Sequence, residues 1–117
     1  MGWNKYHRYK VIDDFVKCLA QEYPDKAQIF EIGSSYERRK MHLLRITNNL
    51  RVNKKAVWID GGIHAREWVS PAVATYMAME LIENDDAHPD LTKELDWFGI
   101  SHYLIVPSMK ISGILCL

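Results

Sequence analysis

The sequence of 117 residues has few cysteines, no net charge and no long apolar run. Its two cysteines, Cys18 and Cys116, are too few for a disulfide framework, and we expect Cys18 to be a buried free thiol. Fifteen basic side chains balance fifteen acidic ones, and no segment concentrates one sign. We therefore expect no nucleic acid and no membrane as a partner, because a protein that binds either anionic surface needs a cluster of basic side chains.

We also expect no segment that targets or anchors the protein. Residues 1–10 contain no apolar stretch of the kind that a signal peptide carries. The longest apolar stretches are only as long as a β-strand, so no membrane span is predicted. What is present is the composition of a globular protein, with 48% hydrophobic and 26% charged residues. The length fits one domain.

The spacing of apolar residues predicts an α/β domain. From Val11 to Leu19 they recur every four positions, which predicts an amphipathic helix over residues 9–23. Ser70-Pro71 is typical of a helix start, with Ser70 as the N-cap. A slightly earlier start, at Glu67, is the alternative, and the helix should end near residue 84. Short apolar runs predict strands at residues 27–33, 41–47, 56–63 and 103–106, and a short helical segment at residues 89–97. Such alternation favours layered helices on a mixed sheet.

One segment carries more specific chemistry than the fold requires. His64 and Glu67 lie three residues apart, directly after an apolar strand. At that spacing an imidazole nitrogen and a carboxylate oxygen can converge on one side of a turn and bind Zn²⁺. The alternative is that His64 packs at the strand end and Glu67 only favours the positive end of the next helix. A third ligand would come from elsewhere, and no neighbourhood suggests one at the remaining histidines, which are His7, His42, His88 and His102.

Residues 56–72, with His64-Ala65-Arg66-Glu67-Trp68 at their centre, closely resemble the zinc-binding segment of the metallocarboxypeptidases. The similarity is to the A/B branch of digestive, pancreatic-type enzymes, which typically has His-Ser/Ala-Arg-Glu-Trp at this place. It extends from Tyr6-His7 through residues 32–39 and on to about Met109.

Three other residues within the similar stretch are interpreted individually. The glycine that is usual in the Glu-Gly-Arg turn of the family is replaced here by Arg38, which leaves the geometry of that turn open. Trp58 and Trp97 are interpreted as core aromatics and not as substrate contacts.

The resemblance implies a three-layer α/β/α fold with a mixed sheet, of the zinc exopeptidase type, of which this chain would hold about four strands. It implies that His64 and Glu67 are two of the three protein ligands of one Zn²⁺, and that Arg66 contacts the peptide substrate. A solvated arginine that stabilises the loop is the alternative for Arg66. The implied enzyme is a secreted protease, a hydrolase that removes the C-terminal residue of peptides and proteins.

Near its end the chain departs from the family. Residues 108–112 stand where the family continues into an Asn-Pro-Asp-Gly turn. The third zinc ligand, the general-base glutamate, and the arginines and tyrosine that bind substrate have no counterpart. No catalytic residue is therefore identified in this chain, and the third protein ligand of zinc is missing. We expect residues 1–109 to be the N-terminal part of a carboxypeptidase catalytic domain and residues 110–117 to be an unrelated apolar tail.

Three outcomes are open for such a chain. As a zinc-dependent carboxypeptidase by family, it is expected to bind Zn²⁺ weakly and to have little or no activity by itself. The alternatives are a non-catalytic fragment that binds a peptide or a partner, and an incomplete product without a function of its own. In the resembling fold the strand before His64 lies inside the sheet, so in this chain we expect an exposed sheet edge and self-association through it.

Overall fold

The computed structural model describes residues 1–64 and 66–101. The elements follow in the order α1 (Tyr9–Glu22), β1 (Ala27–Ser34), β2 (Lys40–Ile46), β3 (Lys55–Gly61), α2 (Val69–Glu83), α3 (Pro89–Glu94) and β4 (Leu95–Ser101). A 3₁₀ turn at Asp85–Ala87 separates α2 from α3. No helix in this described part of the chain has the length and apolarity needed to cross a membrane.

The four strands form one mixed sheet in the order β1-β2-β4-β3. β1 pairs with β2 and β2 with β4 in antiparallel fashion, whereas β3 and β4 are parallel. The parallel pair requires a crossover connection, and α2 and α3 supply it. The predicted α/β class with a truncated mixed sheet is confirmed, as is the antiparallel pairing of the first two strands.

α1 and α2 both pack against one face of this sheet. Leu44 and Ile46 lie two residues apart on β2, so their side chains point to the same face, where Leu19 of α1 and Ile82 of α2 meet them. The buried core cluster consists of Leu19, Ala27, Leu44, Ile46, Leu81 and Ile82. The apolar stripe predicted on the first helix is confirmed at Phe15 and Leu19, whereas Val11 is 41% exposed. Burial of this apolar surface fixes α1 to the sheet.

Two tryptophans predicted in the core have different environments. Trp97 packs against the core cluster, as expected, and its indole N–H donates to the carbonyl oxygen of Leu91. The prediction for Trp58 is wrong, because this residue is 52% exposed. Adjacent strand residues point to opposite faces, so Ile59 takes the helix-covered face and Trp58 the other, where its indole N–H bonds to Asp60.

The prediction of a buried Cys18 thiol is also wrong. Cys18 is exposed, and its Sγ lies 3.5 Å from Oε1 of Glu22, one turn further along α1. Leu19, the next residue, occupies the buried face instead. One position corresponds to about 100° of rotation around a helix, which is enough to carry the thiol out of the core.

The helical segment predicted at residues 89–97 is only partly correct. α3 ends at Glu94, and Leu95–Ser101 form β4. The apolar spacing of Leu91 and Leu95 is that of a helix, but Trp97 and Phe98 favour a strand, and pairing with β2 on one side and β3 on the other outweighs local spacing. The strand predicted at residues 103–106 lies outside the described residues.

A buried ion pair joins β2 to β4. Arg45 Nη2 donates to Asp96 Oδ2 at 2.7 Å, and the same guanidinium donates to the carbonyl oxygens of Leu50 and Val52 in the loop before β3. Burial raises the pKa of Asp96, but hydrogen bonds led by the one from Arg45 outweigh it and hold that pKa below the usual value. The pair thereby fixes the loop that leads into β3.

The turn between β1 and β2 is closed around Ser35. Ser35 N–H donates to the carbonyl oxygen of Arg39 at 2.8 Å, and Arg38 N–H donates to that of Ser35 at 2.9 Å. Arg38 has φ of 64°, and it is the non-glycine residue with positive φ in the described part of the chain. The turn therefore retains a left-handed geometry that glycine adopts more easily than arginine does.

Replacing Arg38 by glycine should stabilise the protein. The left-handed backbone of a non-glycine residue costs about 1–2 kcal/mol, part of which the greater freedom of glycine in the unfolded chain offsets. We expect Arg38→Gly to raise the free energy of unfolding by about 0.5–1 kcal/mol, measured by urea denaturation. Arg39→Gly, in the same turn but without positive φ, is the matched control and should lower it. A loss of stability in Arg38→Gly would contradict the assignment of strain to this residue.

Candidate metal centre

The candidate metal-binding bend comprises residues 62–64 and 66–70, between the end of β3 and the first turn of α2. Gly62 is buried and has φ of 85°, a conformation that favours glycine and that turns the chain out of the sheet. Its N–H donates to Ser70 Oγ at 2.7 Å, and the Ser70 hydroxyl in turn donates to the carbonyl oxygen of Glu67 at 3.2 Å. The bend is therefore closed by a hydroxyl that links both of its ends.

Ser70 does not occupy the position that the sequence predicts. α2 begins at Val69 and its N-cap is Trp68, which makes no side-chain capping bond, so the prediction of Ser70 as the N-cap is wrong. Ser70 lies in the first turn of the helix, and its hydroxyl serves the bend instead of the helix start. Pro71, predicted next to the cap, lies in the same turn and is buried.

The two predicted metal ligands meet on this bend. Glu67 N–H donates to the carbonyl oxygen of His64 at 2.9 Å, which draws the two residues into one turn. His64 Nδ1 then lies 3.0 Å from Glu67 Oε1. Their side chains are 62% and 50% exposed. The imidazole nitrogen and the carboxylate oxygen therefore converge at a place that solvent reaches.

The spacing of these two atoms fits a shared zinc ion. Zinc binds histidine nitrogen and carboxylate oxygen at about 2.0–2.2 Å, which at a tetrahedral angle separates the two donor atoms by about 3.4 Å. Nδ1 of His64 and Oε1 of Glu67 lie within a few tenths of an ångström of that separation. Without an ion, the same contact is a hydrogen bond or an ion pair, so the geometry is compatible with both readings of the sequence motif.

The other candidate ligands are not brought to this bend. His7 Nε2 lies 2.6 Å from the carbonyl oxygen of Gly2, and His42 is paired with Asp13 at 2.7 Å. His88 is the N-cap of α3, and His102 lies outside the described residues. Within residues 1–64 and 66–101, no group of three or more histidine, cysteine, aspartate or glutamate side chains gathers around one point. The described residues thus supply two donors.

Arg66 lies on the same bend, next to Glu67, and is exposed. Ala65, which precedes it, lies outside the described residues.

Tyr6 contacts the bend although the sequence gives no local signal for it. Its ring packs edge-on against Trp68, with ring centroids 5.8 Å apart and an interplanar angle of 72°. Trp68 directly follows Glu67 in the chain. More than sixty residues separate the two rings in sequence, so only the fold reveals this contact.

Comparisons with known proteins agree on one family. Residues 12–109 match the zinc carboxypeptidase family. Carboxypeptidase B of Astacus astacus is 37% identical over 98 residues, which cover 84% of this chain and 32% of that protein. Carboxypeptidase A6 of Mus musculus is 34% identical over 112 residues, which cover 96% of this chain and 25% of that protein.

The fold agrees with the sequence match. The crystal structure of thrombin activatable fibrinolysis inhibitor superposes on this chain with a TM-score of 0.76 and 31% sequence identity, over 90% of this chain and 25% of that one. The chain thus spans about a quarter to a third of the length of the relatives that it matches. On the match over residues 12–109 and on this fold, the chain belongs to the zinc carboxypeptidase family, of whose domain it comprises only a part.

Proposed function

We propose that this chain is the N-terminal part of the catalytic domain of a zinc metallocarboxypeptidase, which hydrolyses the C-terminal peptide bond of peptides and proteins. The observation that carries the proposal is the 3.0 Å approach of His64 Nδ1 to Glu67 Oε1 in a chain of that family. In this proposal residues 1–109 form that part of the domain, and residues 110–117 are a tail unrelated to it. The enzyme acts outside the cell, and its substrates are peptide or protein C-termini.

The residues of the bend have distinct roles in this proposal. His64 offers the lone pair of Nδ1 and Glu67 a carboxylate oxygen, which are two of the three protein ligands of one Zn²⁺. When bound, zinc supplies a Lewis acid that polarises a carbonyl group and lowers the pKa of water. Ser70 holds the bend closed through Gly62. Arg66 presents a cation that can bind an oxygen of the peptide.

Two ligand atoms bind a zinc ion only weakly. Catalytic zinc sites have three protein ligands and one open position, whereas the described residues gather two. The family's general base and its oxyanion-binding arginines have no counterpart in the 117 residues. We therefore expect the isolated chain to bind Zn²⁺ weakly and to hydrolyse C-terminal peptide bonds slowly or not at all.

Calorimetric titration with Zn²⁺ tests the assigned ligands. His64→Ala and Glu67→Gln each remove one ligand atom. Loss of a group that only hydrogen-bonds to a metal ligand weakens metal binding about 10- to 100-fold, so each of these variants should weaken Zn²⁺ binding at least that much. His88→Ala and Glu83→Gln are matched controls, since both residues are exposed and lie beyond the bend, and they should leave the affinity unchanged. Equal binding by His64→Ala and the unchanged chain would contradict the assignment.

An assay with a chromogenic C-terminal peptide separates the remaining alternatives. Little or no turnover is the expected result. Turnover that disappears in His64→Ala would support the zinc site but contradict the expected inactivity. Peptide binding that needs no zinc and survives Glu67→Ala would favour the non-catalytic fragment instead.

Self-association through a sheet edge stays a prediction. β3 ends the described sheet order, and Trp58 on it exposes half of its surface. A second copy of the chain is the occupant that we propose, because an edge strand is a template for pairing with a like strand. We expect sedimentation velocity to show a species that grows with concentration.

A charge on the edge strand should reduce this association, because charged edge residues oppose strand pairing. Trp58→Lys is the test variant. Tyr36→Lys is the matched control, since Tyr36 is 77% exposed in the turn at the opposite end of the sheet, and it should associate like the unchanged chain. A chain that sediments as a monomer at every concentration would rule out the proposed contact.

A further inference from the structure

The N-terminal segment, residues 1–8, lies across both helices. The ring of Trp3 packs edge-on against Phe15 of α1, with centroids 5.6 Å apart, and against Tyr76 of α2, with centroids 5.3 Å apart. His7 Nε2 lies 2.6 Å from the carbonyl oxygen of Gly2, which folds the segment onto itself. Edge-to-face ring pairs of this kind add to the stabilisation from buried area. The segment is therefore held in place independently of the metal-binding bend.

From this fixed position Tyr6 reaches the bend. Its ring meets that of Trp68 with centroids 5.8 Å apart. A cavity of about 260 Å³ lies between the N-terminal segment and the start of α2, and Trp68, Pro71 and Thr75 line it. Trp68 is 55% exposed. The ring contact with Tyr6 therefore restrains the indole beside this open space.

Trp68 transmits this constraint to the metal ligands. It is the N-cap of α2 and is joined by a peptide bond to Glu67, whose N–H bonds to the carbonyl oxygen of His64. An indole anchored by packing restricts the movement of its own backbone, and thereby of Glu67, which directly precedes Trp68 in the chain. Because both ligand side chains are about half exposed, little other packing holds them, and affinity depends on how well the bend is pre-organised.

We infer that Tyr6 is a positioning residue, which acts through Trp68 to hold the bend of His64 and Glu67 in its metal-binding arrangement. The inference rests on the proposed zinc site. Tyr6 does not touch the ion, so its removal should weaken binding and not abolish it.

The first measurement is the Zn²⁺ affinity of Tyr6 variants of the full chain. Tyr6→Ala removes the ring, and we expect binding about three- to ten-fold weaker, in keeping with the loss of one aromatic pair. Tyr6→Phe keeps the ring and should bind like the unchanged chain. Tyr36→Ala removes a tyrosine from an exposed turn and serves as the matched control. In a Trp68→Leu background, Tyr6→Ala should have no further effect, because its partner is already gone.

The second measurement needs no metal. Amide hydrogen exchange at Glu67, whose N–H bonds to His64, should become faster in Tyr6→Ala, while exchange at Leu44 in the core stays unchanged. Faster exchange throughout the chain would instead indicate a general loss of stability and would overturn the inference. Equal zinc affinity of Tyr6→Ala and the unchanged chain would overturn it as well.

The two proposals fail in different ways. If the unchanged chain bound no Zn²⁺ through His64 and Glu67, the proposed function would fall. Exchange at Glu67 in metal-free protein would still decide whether Tyr6 orders the bend. If instead zinc bound through both residues with an affinity that Tyr6→Ala did not change, the proposed function would stand and the positioning role of Tyr6 would be refuted.

Discussion

The position of the candidate metal centre depends on the buried ion pair of Arg45 and Asp96. It joins residues 51 positions apart in the chain, and Arg45 also donates to the carbonyl oxygens of Leu50 and Val52. Because β3 starts just after that loop, this one guanidinium fixes where β3 begins, and pairing along β4 then sets the course of the strand. Buried ion pairs contribute little net stability once desolvation is counted. Its effect is geometric, since it fixes the loop from which the strand that leads to His64 begins.

The bend is built from a rigid strand on one side and a rigid helix on the other. α2 is fixed to the sheet through Leu81 and Ile82, and β3 is fixed by pairing along β4. Ser70 joins the two elements at Gly62. The two ends of the bend are therefore well supported, while its candidate donor side chains face solvent. This division, in which a packed scaffold presents exposed functional groups on a connection, is common to binding sites.

Short-range features of this molecule were predictable from the sequence and long-range ones were not. His64 and Glu67 lie within one turn, so their spacing allows the two side chains to converge, and the structure brings them to 3.0 Å. β4 was missed because pairing with two neighbours, a property of the whole sheet, outweighs the helical spacing of Leu91 and Leu95. The Tyr6–Trp68 contact joins distant segments, so no local pattern in the sequence points to it.

Family membership and catalytic activity follow from different properties of this chain. Membership follows from a match that runs from residue 12 to residue 109 and from a shared fold. Catalysis follows from how many donors and charged groups converge on one ion, and one bend supplies only those that are close in sequence. A donor pair on a single turn binds a cation less tightly than three donors from separate elements, because each added ligand contributes to the same closed site. In the site that we propose, ordering of that turn by Trp68 and its ring partner Tyr6 adds to the affinity for the ion, because fewer ligands hold it.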